Sequence, residues 1–216
     1  MYRPIEQTNQ PSRRTARSAL TAILCVMVSV SFLGMLSTTN ATEKKPEKKP
    51  EKTREVGVGS LILKVPASWK EETPSSRMRL TQFAIPAAKG DKEGGELAIF
   101  TFKGGGGLVK ANLQRWIGQF DQKGRKVKLT VGMSTQGKYT LAEITGTYNK
   151  SIGGPLSGKK EKKPASRMFA SIVQNKGGVY YLKFTGPDKT ISTNAEAFRA
   201  SYGAQKSEEK GLKINK

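Results

Sequence analysis

Residues 96–121 read ELAIFTFKGGGGLVKANLQRWIGQFD, and a change of period inside this stretch decides the fold. From Glu96 to Phe102 the side chains alternate, with Leu97 and Ile99 on one face and Ala98, Phe100 and Phe102 on the other. Both faces are apolar, so the segment predicts a strand covered on both sides. After the glycines, Val109, Leu113, Trp116, Ile117 and Phe120 recur at spacings of one, three and four. That spacing predicts a helix over 108–121 whose apolar stripe lies on the sheet.

Working outward, 60–65 and 78–85 are short apolar or alternating runs closed by Pro66 and Pro86, which cannot donate to a sheet ladder. Downstream, 127–134, 139–148, 167–174 and 179–185 supply four further strand patterns. Asn175-Lys176-Gly177-Gly178 reads as a tight turn joining the last two. A second helix is expected over 192–202, with Ile191, Ala195, Phe198 and Tyr202 on one face and Gly203 as its stop. The order of these periods predicts an α+β domain over 56–203, an antiparallel β-sheet with helices packed on its faces.

The flanks read differently. Arg13, Arg14 and Arg17 precede an apolar run over 18–36, and a small polar stretch ends at Ala41. This is the charged, apolar, small-residue order of a secretory signal, so residues 1–41 are expected to be a signal peptide cleaved after Ala41, leaving a periplasmic or extracellular protein. The apolar run approaches the roughly 20 residues that span a bilayer. The alternative is therefore an uncleaved signal anchor, with 18–36 holding the chain to the inner membrane and making its membrane contact. Residues 42–55 contain EKKPEKKPEKTRE, with no apolar residue to bury, and read as an extended disordered linker. Residues 204–216 read as a frayed, disordered charged tail.

At 216 residues the chain holds one domain plus these segments. Its 38 Lys and Arg against 17 Asp and Glu give a net charge of +21, a field that attracts polyanions and also keeps a protein soluble. The chain has no histidine, and its one cysteine, Cys25, lies inside the apolar run. Histidine-based triads, Cys/His zinc sites, histidine-held haem and disulfides are excluded on that inventory, and no cofactor or metal is expected. Acids such as Asp91, Glu96, Asp121, Glu143 and Asp188 are scattered and form no recognisable catalytic motif.

Two segments are candidates for anion binding. Gly104, Gly105, Gly106 and Gly107 lie where a strand passes into a helix, with Lys103 and Lys110 nearby, although neither a Walker loop nor GxGxxG is completed. Lys159, Lys160, Lys162 and Lys163 are expected on a Gly-rich excursion from the sheet, either as a binding loop or as a solvated one. The Trp116 and Phe120 stripe reads as core and not as a stacking platform. Arg115 falls off the stripe, solvated or paired with an acid on a neighbouring strand, and Trp69 reads as an anchor at the edge of the core. Nucleic acid is disfavoured as a partner by export and by the lack of aromatics among the lysines.

Val65-Pro66-x-x-Trp69, Arg79-x-x-x-Phe83-x-Ile85-Pro86, Gly95-Glu96-Leu97-Ala98-Ile99-Phe100, Asn112-x-x-Arg115-Trp116-x-x-Gln119-Phe120 and Thr185-Gly186-Pro187 together span most of 56–203. In these motifs the chain resembles the superfamily of the photosystem II extrinsic protein PsbP and the Ran-binding Mog proteins, with their uncharacterised exported bacterial relatives. The resemblance implies an α/β/α sandwich and a non-enzymatic binding or assembly role, and it transfers no functional residue. The expectation is an exported binding or assembly module of the cell envelope, not an enzyme, with an anionic envelope component or a protein as partner. The alternatives are an envelope enzyme acting on an anionic polymer through Glu96, Asp121 and Glu143, and an intracellular nucleic-acid-binding protein.

Overall fold

The computed structural model describes residues 51–102, 107–153 and 157–213. The expected signal over 1–41, the linker up to residue 50, and Lys103, Gly104, Gly105 and Gly106 lie outside the described residues. In chain order the elements are β1 (Thr53–Val58), β2 (Leu61–Pro66), β3 (Lys70–Glu72), β4 (Arg79–Ile85), β5 (Gly95–Thr101) and α1 (Val109–Ile117). There follow β6 (Lys126–Ser134), β7 (Gly137–Ser151), β8 (Lys160–Asn175), β9 (Gly178–Pro187), α2 (Asp188–Thr193), α3 (Ala195–Ser201) and β10 (Lys210–Gly211). Eight strands form one sheet in the order β10-β6-β7-β8-β9-β5-β4-β3, while β1 and β2 form a hairpin of their own. Every pairing among these strands is antiparallel.

The alternation in β5 does what its pattern requires. Leu97 and Ile99 join a cluster with Phe83, Phe169, Phe184, the β1–β2 hairpin, Ile191 of α2 and Phe198 of α3. Phe100 packs on the other cluster, where Leu113 and Trp116 of α1 and Phe120 meet Ala142, Ile144, Met168 and Tyr181. The central sheet is thus apolar on both sides, and each fully buried Leu, Ile or Phe contributes about 1.5–3 kcal/mol. Trp69, expected at the edge of the core, is fully buried and stacks on Phe184 with ring centroids 5.4 Å apart.

Local chemistry fixes the ends of the elements. The α1 helix stops at Gly118, and the Arg125 guanidinium donates to the carbonyls of Ile117 (2.9 Å) and Phe120 (3.1 Å), satisfying acceptors that a helix end leaves free. Between β8 and β9, Asn175 faces Gly178 across a two-residue turn, and the Asn175 side chain accepts from the Gly177 N–H at 2.9 Å. Gly203 closes the last helix with φ +74°, and a Cβ there would lie 1.9 Å from Thr135 Oγ1.

Four expectations are corrected. The linker ends before residue 55, because Thr53, Arg54 and Glu55 are ladder residues of β1 paired with Pro66, Val65 and Lys64. The helix expected over 192–202 is two helices that meet at Asn194, whose side-chain amide donates to the Thr190 carbonyl at 2.8 Å. Lys160, Lys162 and Lys163 are not on a loop but on β8, paired with Ser151, Asn149 and Tyr148 of β7. Residues 205–213 are not a frayed tail: a 3-10 turn over Lys206–Glu208 leads to β10 on the edge of β6, and Glu209 forms a buried ion pair with Arg199 at 2.6 Å. Charge alternation hid this segment, since its one deeply buried carboxylate is matched by a partner ten residues upstream.

Candidate functional site

β7 and β8 are longer than the other strands, and beyond residue 146 they run on as a two-stranded arm. A bulge sets the arm apart. Gly146 faces Ser166 and Tyr148 faces Lys163, so one residue of β7 opposes Pro164 and Ala165, and Ala165 has φ +48°. The segment after α1 fastens to the arm through Asn149 N–H to Gln119 C=O (2.8 Å), Asp121 N–H to Thr147 C=O (2.9 Å) and the Phe120 ring against Tyr148.

A groove of about 1020 Å³ opens where the arm meets β4, β5 and β9 on the α1 side of the sheet. Arg79, Lys92, Lys150, Lys163 and Lys183 line it against Glu72, Glu93 and Glu96, leaving a surplus of two positive charges. Arg79 reaches Glu96 at 2.8 Å and Lys163 reaches both Glu93 (2.9 Å) and Glu161 (2.8 Å). The Lys163 contacts hold Glu93 below the usual carboxylate range, and Glu161 and Glu93 hold the Lys163 amine above its own. A smaller apolar side pocket of about 230 Å³ adjoins the groove, sharing Gln119 and Lys183 with it.

Lys183 is the groove cation whose amine pKa is lowered by burial. It is half-buried in the middle of β9, its Nζ donates to Tyr148 Oη at 2.8 Å, and it lies 5.1 Å from the centre of that ring. Among the described residues it forms no ion pair, because the nearby Glu96 is engaged by Arg79. Burial pushes its amine down to about 8, with Glu96 opposing and Arg79 and Arg115 reinforcing the shift. Burial likewise pushes the Tyr148 phenol up to about 12, so this hydroxyl stays protonated. Gln119 Oε1 is buried without a hydrogen-bond partner among the described residues.

The expected site residues divide. Lys163 enters the groove, Lys162 turns to Asp121 at 2.9 Å, and Lys159 and Lys160 stay exposed at the arm. Gly107 (φ +86°) precedes α1, and Lys110 is exposed on that helix without lining either cavity. Arg115 finds Asn112 on its own helix at 2.5 Å in place of an acid on a neighbouring strand. Lys183, Tyr148, Arg79 and Gln119 were missed by sequence reasoning. The one signal was Lys183 itself, a lone cation between Leu182 and Phe184 in an otherwise apolar strand.

The three acids of the enzyme alternative do not converge. Glu96 pairs with Ala84 and Thr185 on the α1 side, while Glu143 lies on the opposite face, ion-paired to Arg167, which also holds Asp188 at 2.9 Å. Asp121 is fixed by Asn149 and Lys162, in that order of effect, and its carboxyl stays below the usual range.

No protein-family model matches the chain, and no characterised protein matches it in sequence. Among solved structures it is similar to cyanobacterial PsbP (CyanoP) from Synechocystis, at 12% identity and a TM-score of 0.44, over 79% of this chain and 99% of that one. It is also similar to the Ran-binding protein Mog1p of Saccharomyces cerevisiae, at 9% identity and TM-score 0.39, over 72% and 86% of the two chains. A Pseudomonas aeruginosa protein of unknown function, PA94, gives 12% identity and TM-score 0.36 over 68% and 92%. PsbP and Mog proteins are the two groups that the sequence motifs resemble.

Proposed function

We propose that this chain is an exported, non-enzymatic binding or assembly module, and that its arm and groove receive an anionic partner. The observation that carries the reading is the surplus of cations in a groove built from a fixed scaffold, with Lys183 half-buried in it and engaged by no carboxylate among the described residues. Arm and groove carry positive charge from two directions, Lys159 and Lys160 at the rim and Lys150, Lys163 and Lys183 within. Such a surface binds mainly through charge, which salt screens over about 8 Å at physiological ionic strength. Two of the groove acids are already engaged, Glu93 by Lys163 and Glu96 by Arg79, which supports a binding role over acid–base chemistry.

The test uses immobilised heparin as the anionic probe. Changing Lys159, Lys160, Lys162 and Lys163 together to Gln is expected to lower the salt concentration at which the protein elutes. Stability should move by no more than about 0.5 kcal/mol per exposed position. Parent and variant eluting at the same salt would remove the arm from the proposal.

A further inference from the structure

The side pocket shares only part of its wall with the groove, and its chemistry is different. Phe100, Phe102, Trp116 and Tyr181 supply aromatic surface, with Phe102 and Trp116 set edge-on to Tyr181 at centroid distances of 5.4 and 6.3 Å. At its polar end stand Lys183 and the Gln119 amide, whose buried Oε1 lacks a partner among the described residues. We propose that the side pocket binds a small organic carboxylate, its acid group beside Lys183 and its aromatic or aliphatic body among Phe100, Phe102, Trp116 and Tyr181.

Charge complementarity selects an acid. Around Lys183 stand Arg79 from β4, Glu96 from β5, Tyr148 from β7 and Arg115 from α1, three cations in all against one carboxylate that is already paired. A bound carboxylate would halve this surplus of two positive charges and hold the amine protonated, so the lowered Lys183 pKa becomes a handle on binding. Gln119 lines the same end, so its amide is a second polar group beside the bound acid. Size selects a small body: the pocket's 230 Å³ lies below the roughly 300–1,000 Å³ of sites that hold drug-sized ligands. Rings of the pocket wall offer faces and edges to a single aromatic or a short aliphatic group.

The proposal does not depend on what the larger groove binds. Its test titrates the purified protein with benzoate, phenylacetate, indole-3-acetate and hexanoate, and with benzyl alcohol and hexanol as neutral matches. Thermal shift reports occupancy for every ligand, and tryptophan fluorescence for those without an indole ring. At least one acid should bind saturably, and its neutral match at least about tenfold more weakly. The same loss is expected in Lys183→Met, in Phe102→Asp, and in the parent on moving from about pH 7 to about pH 9.5, where the amine gives up its proton. Circular dichroism establishes that each variant is folded, and either variant alone suffices for the comparison. Absence of saturable binding by all four acids at millimolar concentration overturns the proposal, as does equal binding of acid and alcohol. The quadruple lysine variant of the arm should bind the acid as the parent does, so this result and the heparin result stand or fall separately.

Discussion

Lys183 is where a single residue decides most. Its neighbours on β9, Leu182 and Phe184, are fully buried on the opposite face, so the strand cannot turn the amine to solvent without losing them. The folded amine has its pKa near 8, against about 10.4 for an ordinary lysine. Below pH 8 both folded and unfolded chains hold the proton, and the folded state bears the full cost of the buried charge. Between about pH 8 and 10.4 the unfolded chain binds more protons, so this group's contribution makes stability rise with pH. Lys183→Met removes that contribution while keeping the stem. The stability of the variant relative to the parent should therefore fall by about 1–2 kcal/mol across this window, with allowance for partial exposure. Urea midpoints of both proteins measured through the window check the sign. A constant difference would show that the amine is not strained by burial.

At the scale of elements, the C-terminal segment shows how a short charged stretch becomes part of a fold. The Glu209 carboxylate takes Arg199 Nε at 2.6 Å and Thr130 Oγ1 at 3.2 Å, and the Arg199 guanidinium lies 5.0 Å from the Phe169 ring. Both charged side chains are under 5% exposed, so neither tolerates loss of its partner. Ending the chain after Ala204 should cost about 3–5 kcal/mol, because it strands a buried guanidinium. Adding Arg199→Met to the shortened chain should recover part of that loss, and a urea titration of the two proteins measures it. A truly frayed tail would leave the midpoint where it was. The same segment, with Lys126 and Lys128 exposed beyond it, covers or charges the β6 edge, which blunts strand addition by another chain.

For the molecule as a whole, the basic excess belongs to the domain. The first fifty residues hold eight of the 38 Lys and Arg and three of the 17 acids, so loss of an N-terminal signal would leave a strongly cationic protein. Among the described residues no helix is long and apolar enough to cross a membrane, and the apolar run over 18–36 lies outside them. The export reading then has a direct check. Intact-mass measurement of the protein from its native envelope fraction should give an N-terminus at Thr42, whereas retention of residues 18–36 would favour the anchor.

What the amino-acid order determined by itself was the buried face of the elements with an unbroken local period. The Val109, Leu113, Trp116, Ile117 and Phe120 stripe docks on the sheet, and the strands of the central sheet follow the alternation of their side chains, because burial of one face depends only on spacing. What only the tertiary structure decided were the features made by charges distant in sequence. Lys163 was legible as a cation, but its place beside Glu93 depends on a bulge at Ala165 and a pairing with Tyr148. The groove needed Arg79, Tyr148 and Lys183 from three strands, and the apparent tail needed Arg199 to become structure. Periodicity encodes which face is apolar. It does not encode which polar groups meet across that face, since a Coulomb contact has no sequence spacing of its own.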